Sequence, residues 1–311
     1  MSEAVAVERV HARAPGKINV FFEVGAAGAD GYHEVASAYQ AVSAYEDVWA
    51  TPGDGFTIEV DGSVDVSGVP LDGANLAVQA ARLLAGEIGY EGGVHLRVHK
   101  GVPVAGGMGG GSADAAAALV ACDALWGAGM STQDLHRLAA RLGADVPFAL
   151  MGGTAVGTGR GEQLSPALAR GRFDWVLVIS DEGMPTPEVY RELDEYRSSG
   201  AASVPPAPAR PAVFPPVLQA LRQGDARMLG ATAHNDLSHA ALRLRPALDD
   251  IIDLGLAEGA LTGIVSGSGP TLAFLADGEQ AAIALEVALS AAGHQTLHVH
   301  GPVPGARLMP I

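Results

Sequence analysis

Cysteine occurs once in the 311 residues, at Cys122, which excludes an intramolecular disulfide and a cysteine-based zinc site. Lysine is nearly as scarce: of 19 basic residues only Lys17 and Lys100 are lysines, and the rest are arginines. Acidic residues number 35, leaving a formal net charge of −16 and an isoelectric point near 4.9. A chain so short of cations has no general affinity for nucleic acid or for an anionic membrane. No run approaches the roughly 18 consecutive apolar residues of a membrane span, and residues 1–10 hold no apolar stretch behind a basic start. The expectation is a soluble cytoplasmic protein with neither nucleic acid nor membrane as partner.

What is present supports a folded, globular chain. Hydrophobic residues make up 48% and charged residues 17%, enough to bury one large core or two smaller ones across a cleft. Residues 7–14, 18–24, 47–50 and 56–60 read as strands, with a turn at Asp30-Gly31. Residues 75–89 carry Leu76, Ala80, Leu83, Leu84 and Ile88 at helical spacing and end in glycine. Residues 94–99 alternate as a strand. Residues 112–126 form an alanine-rich helix closed by Gly127, and Ser131 or Thr132 caps another that stops at Gly143. Further on, 175–180 reads as a buried strand and 198–216 as an irregular connection rich in Pro, Ala and Ser. Helices are expected at 216–224 and 246–259, and short strands at 264–265 and 272–275 flank Ser266-Gly267-Ser268-Gly269. His298 and His300 read as solvated residues on a strand. Helices and strands mix without βαβ regularity, so the fold class is α+β.

The segment Pro103-Val104-Ala105-Gly106-Gly107-Met108-Gly109-Gly110-Gly111-Ser112-Ala113 lies between a predicted strand and a predicted helix. Glycine at five of the six positions 106–111 carries an entropic cost that few structural turns justify. It permits backbone N–H groups to approach a ligand closely, ahead of a helix start with partial positive charge. Polyphosphate fits such a cradle. Ser112 can cap the helix and also offer its hydroxyl to a phosphate or to Mg²⁺. The run is neither a P-loop nor a dinucleotide or protein-kinase glycine loop. Both lysines abut such motifs, and an ammonium is a compact point charge suited to phosphate.

The order Pro-x-x-x-Gly-x-x-Gly-Gly-Ser-Ala followed by a small-residue helix resembles the phosphate motif of the GHMP kinases. Ala12-Arg13-Ala14-Pro15-Gly16-Lys17-Ile18-Asn19 resembles that family's first motif, and Gly263-Ile264-Val265-Ser266-Gly267-Ser268-Gly269-Pro270-Thr271 its third. The resemblance implies a two-domain fold, residues 1–165 binding ATP and 166–311 completing it, with the active site in the cleft between them. Gly31-Tyr32-His33, Gly143-Ala144-Asp145-Val146-Pro147 and Pro185-Thr186-Pro187-Glu188-Val189-Tyr190 are similar to one branch of the family. That branch phosphorylates the 2-hydroxyl of a cytidine-diphosphate-linked methylerythritol in the non-mevalonate route to isoprenoids.

By the same resemblance Asp145 takes the proton from the substrate hydroxyl and Lys17 stabilises the transferring phosphoryl group. Asn19 binds substrate near the reacting end, Tyr32 and Tyr190 sandwich the cytosine, His33 bonds its polar edge, and Thr186 lies nearby. Asn75 and Lys100 fit positions that contact adenine, beside the ATP-binding run Pro103–Ala113, with Mg²⁺ accompanying the nucleotide. Read from the residues alone, Asp145 could be the N-cap of the next helix, Lys100 an exposed strand end, and Tyr190 part of an apolar helix face. Asn235-Asp236-Leu237 resembles a family string that continues with glutamate, where this chain has Ser238. The expected assembly is a monomer or weak homodimer. Two other readings stand beside this one: a GHMP kinase for homoserine or mevalonate, and a non-catalytic nucleotide-binding protein on the same scaffold.

Overall fold

The computed structural model describes residues 8–180, 182–199 and 206–310. Residue 7 of the strand expected at 7–14 and residues 200–205 of the 198–216 connection lie outside them. In chain order the elements are β1 Val10–Ala27, β2 His33–Gly53, β3 Phe56–Gly62, α1 Leu76–Ile88, β4 Gly93–Lys100, α2 Gly110–Trp126, α3 Thr132–Leu142, α4 Val146–Met151, β5 Thr154–Thr158, β6 Gln163–Pro166 and β7 Phe173–Ile179. Then follow α5 Thr186–Ser198, α6 Pro215–Gln223, α7 Ala226–Thr232, β8 His234–Asn235, α8 Leu237–Leu244, α9 Ala247–Ala257, β9 Thr262–Val265, β10 Leu272–Ala276, α10 Glu279–Ala291, β11 Gln295–Gly301 and β12 Arg307–Leu308. The α+β expectation holds. Among these residues no helix is long and apolar enough to cross a membrane.

Two sheets organise the chain: β12-β1-β2-β4-β3 with β5, β6 and β8 attached, and β11-β7-β10-β9. The first is built on a long antiparallel hairpin that turns at Asp30-Gly31, where Gly31 takes φ +79°. The strands expected at 7–14 and 18–24 are one strand, because Pro15-Gly16 is absorbed as a register shift in the ladder with β2. That bulge lies where the Lys17 N–H bonds Met108 O at 2.9 Å instead of serving only the sheet. Glycine suits the position, since a Cβ on Gly16 would fall 3.0 Å from the Val102 side chain. β2 was foreseen only at 47–50. Its first half is buried on both faces, so the alternation that marks a half-exposed strand is missing. His298 does not stand in solvent: it is half-buried and bonds Asp174 at 3.0 Å.

Helix α2 is buried nearly all round, with Ala113, Ala115–Ala118, Leu119, Ala121 and Cys122 at no exposure. Its small side chains let it lie close against β1, β2 and α1, as an all-apolar helix must. α3 is capped as expected, by Ser131 accepting from Asp134 N, and α1 is capped by Asn75 accepting from Ala77 N.

The sheets do not stand apart. One apolar cluster joins Ile18, Val20, Phe21, Val42 and Met108 to Phe173, Trp175, Leu177, Val217 and Leu229. Within it the fully buried Trp175 of β7 donates its indole N–H to Gln40 Oε1 of β2 at 3.0 Å. Strand β6 runs through residues 165–166, and β8 and β12 return from later in the chain to pair with β1. The two halves are therefore laced together around the site. Trp175→Phe keeps an aromatic ring but orphans the buried Gln40 oxygen, which costs about 1–3 kcal/mol. Urea unfolding is expected to show that loss, and an unchanged midpoint contradicts the bridging role.

Candidate active site

Lys17 stands where three distant segments meet. Its side chain is nearly buried, and Nζ donates to Asn19 Oδ1 and to Gly107 O, each at 2.8 Å. Asp145 Oδ2 lies 3.8 Å from the same nitrogen, and the Tyr39 ring centroid 5.8 Å away. Asn19 is fixed in turn by donating to Ser37 Oγ at 2.7 Å. Asp145 occupies the N-cap position of α4, yet its side chain makes no capping bond, so the structural alternative is not taken and the carboxylate stays directed to the lysine. Burial first, then the Asp145 charge, push the Tyr39 and Tyr190 phenols above their ordinary range. Both hydroxyls remain neutral donors beside that carboxylate.

The glycine run wraps this centre. Gly107 and Gly109 take φ +76° and +70°, and a Cβ at Gly107 would strike Ser266 O at 2.3 Å. The phosphate-type loop and the turn at Ser266–Gly269 thus pack backbone to backbone, which accounts for part of the glycine content in terms of the protein alone. Helix α2 starts earlier than expected: Gly109 is its N-cap, and Gly110 and Gly111 are already helical. Ser112 therefore does not cap the helix. It sits in the first turn, where N–H groups have no partner one turn back, and its side chain lines the same hollow as Lys17 and Asp145. The turn at Ser266–Gly269 is held by a residue of uncertain purpose in the sequence. Asn235 donates to both Val265 O and Gly267 O at 2.7 Å. Neighbouring Asp236 accepts from Val24 N, Arg197 and His234.

Connected hollows run away from Lys17 on both sides. The central one, of about 330 Å³, includes Lys17, Asn19, Ser112, Asp145, Arg160 and Tyr190. On one side the glycine run walls a second hollow, leading to a third of about 280 Å³ lined by Asn75, Lys100, Pro103, Val104 and Ala105. On the other side a hollow of about 430 Å³ is lined by Tyr32, His33, Thr186, Tyr190 and Asp194. Every site residue expected from the sequence falls in or beside this groove, and packing within the protein already engages several of them. The Asn75 amide caps α1 and donates to Pro70 O at 2.9 Å. Thr186 Oγ1 shares a hydrogen bond with Ser268 Oγ at 2.8 Å. His33 Nε2 faces the Asp194 carboxylate at 3.0 and 3.1 Å, which leaves Nδ1 for another partner. Tyr190 leans on His33, with ring centroids 4.9 Å apart, while the exposed Tyr32 ring carries the Arg160 guanidinium 3.8 Å above it. Arg160, Tyr39 and Asp194 were not foreseen. The cue for Arg160 was a glycine on each side.

Lys100 is no exposed strand end. It is buried, and its ammonium lies 2.7 Å from Glu46 Oε1 and 2.5 Å from Asp114 Oδ2. Glu46 also accepts from Gly101 N at 3.1 Å, so the triad ties the end of β4 to α2 one turn in from its start, under the glycine run. Two buried carboxylates against one ammonium leave a surplus negative charge. Burial first, then Asp114, push the Glu46 carboxyl well above its ordinary 4.5 despite Lys100, and burial raises Asp114.

The chain belongs to the GHMP kinases. Residues 75–153 match the GHMP kinases N terminal domain and residues 217–295 the GHMP kinases C terminal domain. A protein of Clavibacter michiganensis subsp. michiganensis named 4-diphosphocytidyl-2-C-methyl-D-erythritol kinase is 58% identical over 99% of both chains. A crystal structure of 4-(cytidine 5'-diphospho)-2C-methyl-D-erythritol kinase superposes with a TM-score of 0.76 at 31% identity, covering 93% of this chain and 98% of that one. The homoserine kinase of Cytophaga hutchinsonii gives 0.74 at 18% identity over 99% and 100%, a likeness of fold.

A raised carboxyl pKa means that the folded chain holds the proton more tightly than the unfolded one. The contribution is complete below about pH 4.5 and is lost as pH rises through the folded value. Glu46→Gln mimics the protonated acid. Urea unfolding at about pH 5 and about pH 8 is expected to show less alkaline loss of stability in the variant than in the unaltered protein. Equal losses contradict the buried surplus charge.

Proposed function

We propose that this chain transfers the γ-phosphoryl group of ATP to the 2-hydroxyl of 4-diphosphocytidyl-2-C-methyl-D-erythritol. The observation that carries the reading is the continuity of the groove. A nucleotide hollow, a glycine run at a helix start, a lysine–aspartate pair and a hollow walled by tyrosine and histidine follow one another in the order that this transfer needs. The full-length similarity to kinases named for that substrate supports it.

In this reading adenine enters beside Asn75 and above Lys100, and the triphosphate lies along Pro103–Ala113, bound by main-chain N–H groups and the start of α2. Lys17, its direction set by Asn19 and Gly107, places its charge against the transferring phosphoryl oxygens. Asp145 accepts the proton as the substrate oxygen bonds to the γ-phosphorus and the bond to the β-phosphate oxygen breaks, releasing ADP. The cytosine end occupies the hollow of Tyr32, His33 and Tyr190, where an aromatic face and a directional ring nitrogen suit a base.

Among the described residues no group of three or more His, Cys, Asp or Glu forms a metal site. The Ser112 hydroxyl and the Asp145 carboxylate of the central hollow are the protein donors that would hold Mg²⁺ accompanying ATP. It would supply charge neutralisation on the phosphates. The division at residue 165, a cytoplasmic setting, a monomer or weak homodimer and a small-molecule partner alone belong to the same reading.

ADP release with this substrate, homoserine or mevalonate as acceptor tests it. Release is expected with the cytidine-linked alcohol alone, and Asp145→Asn is expected to reduce it about 10²–10⁴-fold with the fold intact by circular dichroism. Preference for another acceptor, or a fully active variant, overturns the assignment.

A further inference from the structure

Arg160 is an exposed arginine that the mechanism above leaves unused. It forms the tip of the turn between β5 and β6, between Gly159 at φ +70° and Gly161 at φ +102°. A Cβ on Gly161 would fall 2.5 Å from the Tyr39 hydroxyl, so the tip is pressed against a wall of the central hollow. The turn is braced by Arg160 N donating to Glu162 Oε2 at 2.7 Å. The guanidinium lies 3.8 Å over the Tyr32 ring and donates to Asp30 Oδ2 at 2.7 Å.

Three residues line both the central hollow and the Tyr32–His33 hollow: Thr186, Tyr190 and Arg160. Thr186 is engaged with Ser268, and burial keeps Tyr190 neutral. Among the described residues Arg160 is the one charged side chain that lines both hollows. Lys17, the other cation of the central hollow, is bound to Asn19 and Gly107 beside Asp145. Arg191, on the far hollow, already has Glu188 and Glu195 within 4 Å, at 3.7 and 3.9 Å. A ligand with its base in one hollow and its hydroxyl in the other carries its bridging phosphates past Arg160.

We propose that Arg160 binds the diphosphate bridge and so makes the enzyme selective for a nucleoside-diphosphate-linked alcohol. The inference rests on the function proposed above. A planar guanidinium matches phosphate oxygens in a two-pronged contact. Its pairing with Asp30 is more than half exposed on both sides, and such pairs contribute little, so a doubly charged bridge displaces the aspartate readily. The same movement uncovers the Tyr32 ring, which couples recognition of the bridge to stacking of the base.

Isothermal titration of the unaltered protein, Arg160→Gln and Arg160→Lys with cytidine diphosphate and with cytidine separates the possibilities. Arg160→Gln is expected to weaken cytidine diphosphate at least about tenfold and cytidine less than about twofold, with Arg160→Lys recovering part of the loss. In turnover, the KM for the diphosphate-linked alcohol is expected to rise while that for ATP holds. Equal weakening of both ligands assigns Arg160 to support of Tyr32 and overturns the proposal, as does unchanged binding of cytidine diphosphate. Failure of the unaltered protein to bind either ligand overturns the substrate reading, and this inference with it.

Discussion

The ammonium of Lys17 is the point on which the site depends. A buried cation is costly unless its donors are satisfied, and here a side-chain amide and a main-chain carbonyl from ninety residues away satisfy it. Those bonds require the first strand and the glycine run to meet at fixed distances, with the turn at Ser266–Gly269 packed against the run. The bulge at Pro15/Gly16 frees the Lys17 N–H for Met108, and the missing side chain of Gly107 lets the run sit on Ser266. Asn235 then holds the turn from behind. What remains of the lysine's charge faces Asp145 and the open hollow, where a phosphoryl group can use it.

Charge is distributed with the same economy. A chain with a net charge of −16 must attract anions at chosen places, not over its surface. The groove does this with main-chain N–H groups at the start of α2, which has no side-chain cap, one lysine at the centre and one arginine at the junction of two hollows. The second lysine serves differently. Neutralised by Glu46 and Asp114, Lys100 ties the end of β4 to α2 one turn in from its start and sets the floor on which the glycine run rests.

Much of this was legible because the informative residues are those that lack side chains or repeat a motif. A glycine-dense run between strand and helix states a need for close backbone approach whatever the fold, and Gly89, Ser131 and Gly143 mark helix ends by local chemistry. Contacts made at a distance left no such mark. The first half of β2 is sandwiched on both faces and shows no alternation. Helix α2 begins at Gly110 because glycine can continue a helix as well as enter it. The partners of Lys100 lie in other elements, and Arg160 is one arginine among many until the turn between β5 and β6 brings it to Tyr32.

The most direct measurement is a crystal structure with a non-hydrolysable ATP analogue and the cytidine-diphosphate-linked alcohol bound together. The account requires the γ-phosphorus beside Lys17 Nζ, the acceptor oxygen within hydrogen-bonding distance of Asp145, and the α- and β-phosphates against residues 107–112. A triphosphate seated away from the start of α2, or an acceptor hydroxyl turned from Asp145, contradicts it.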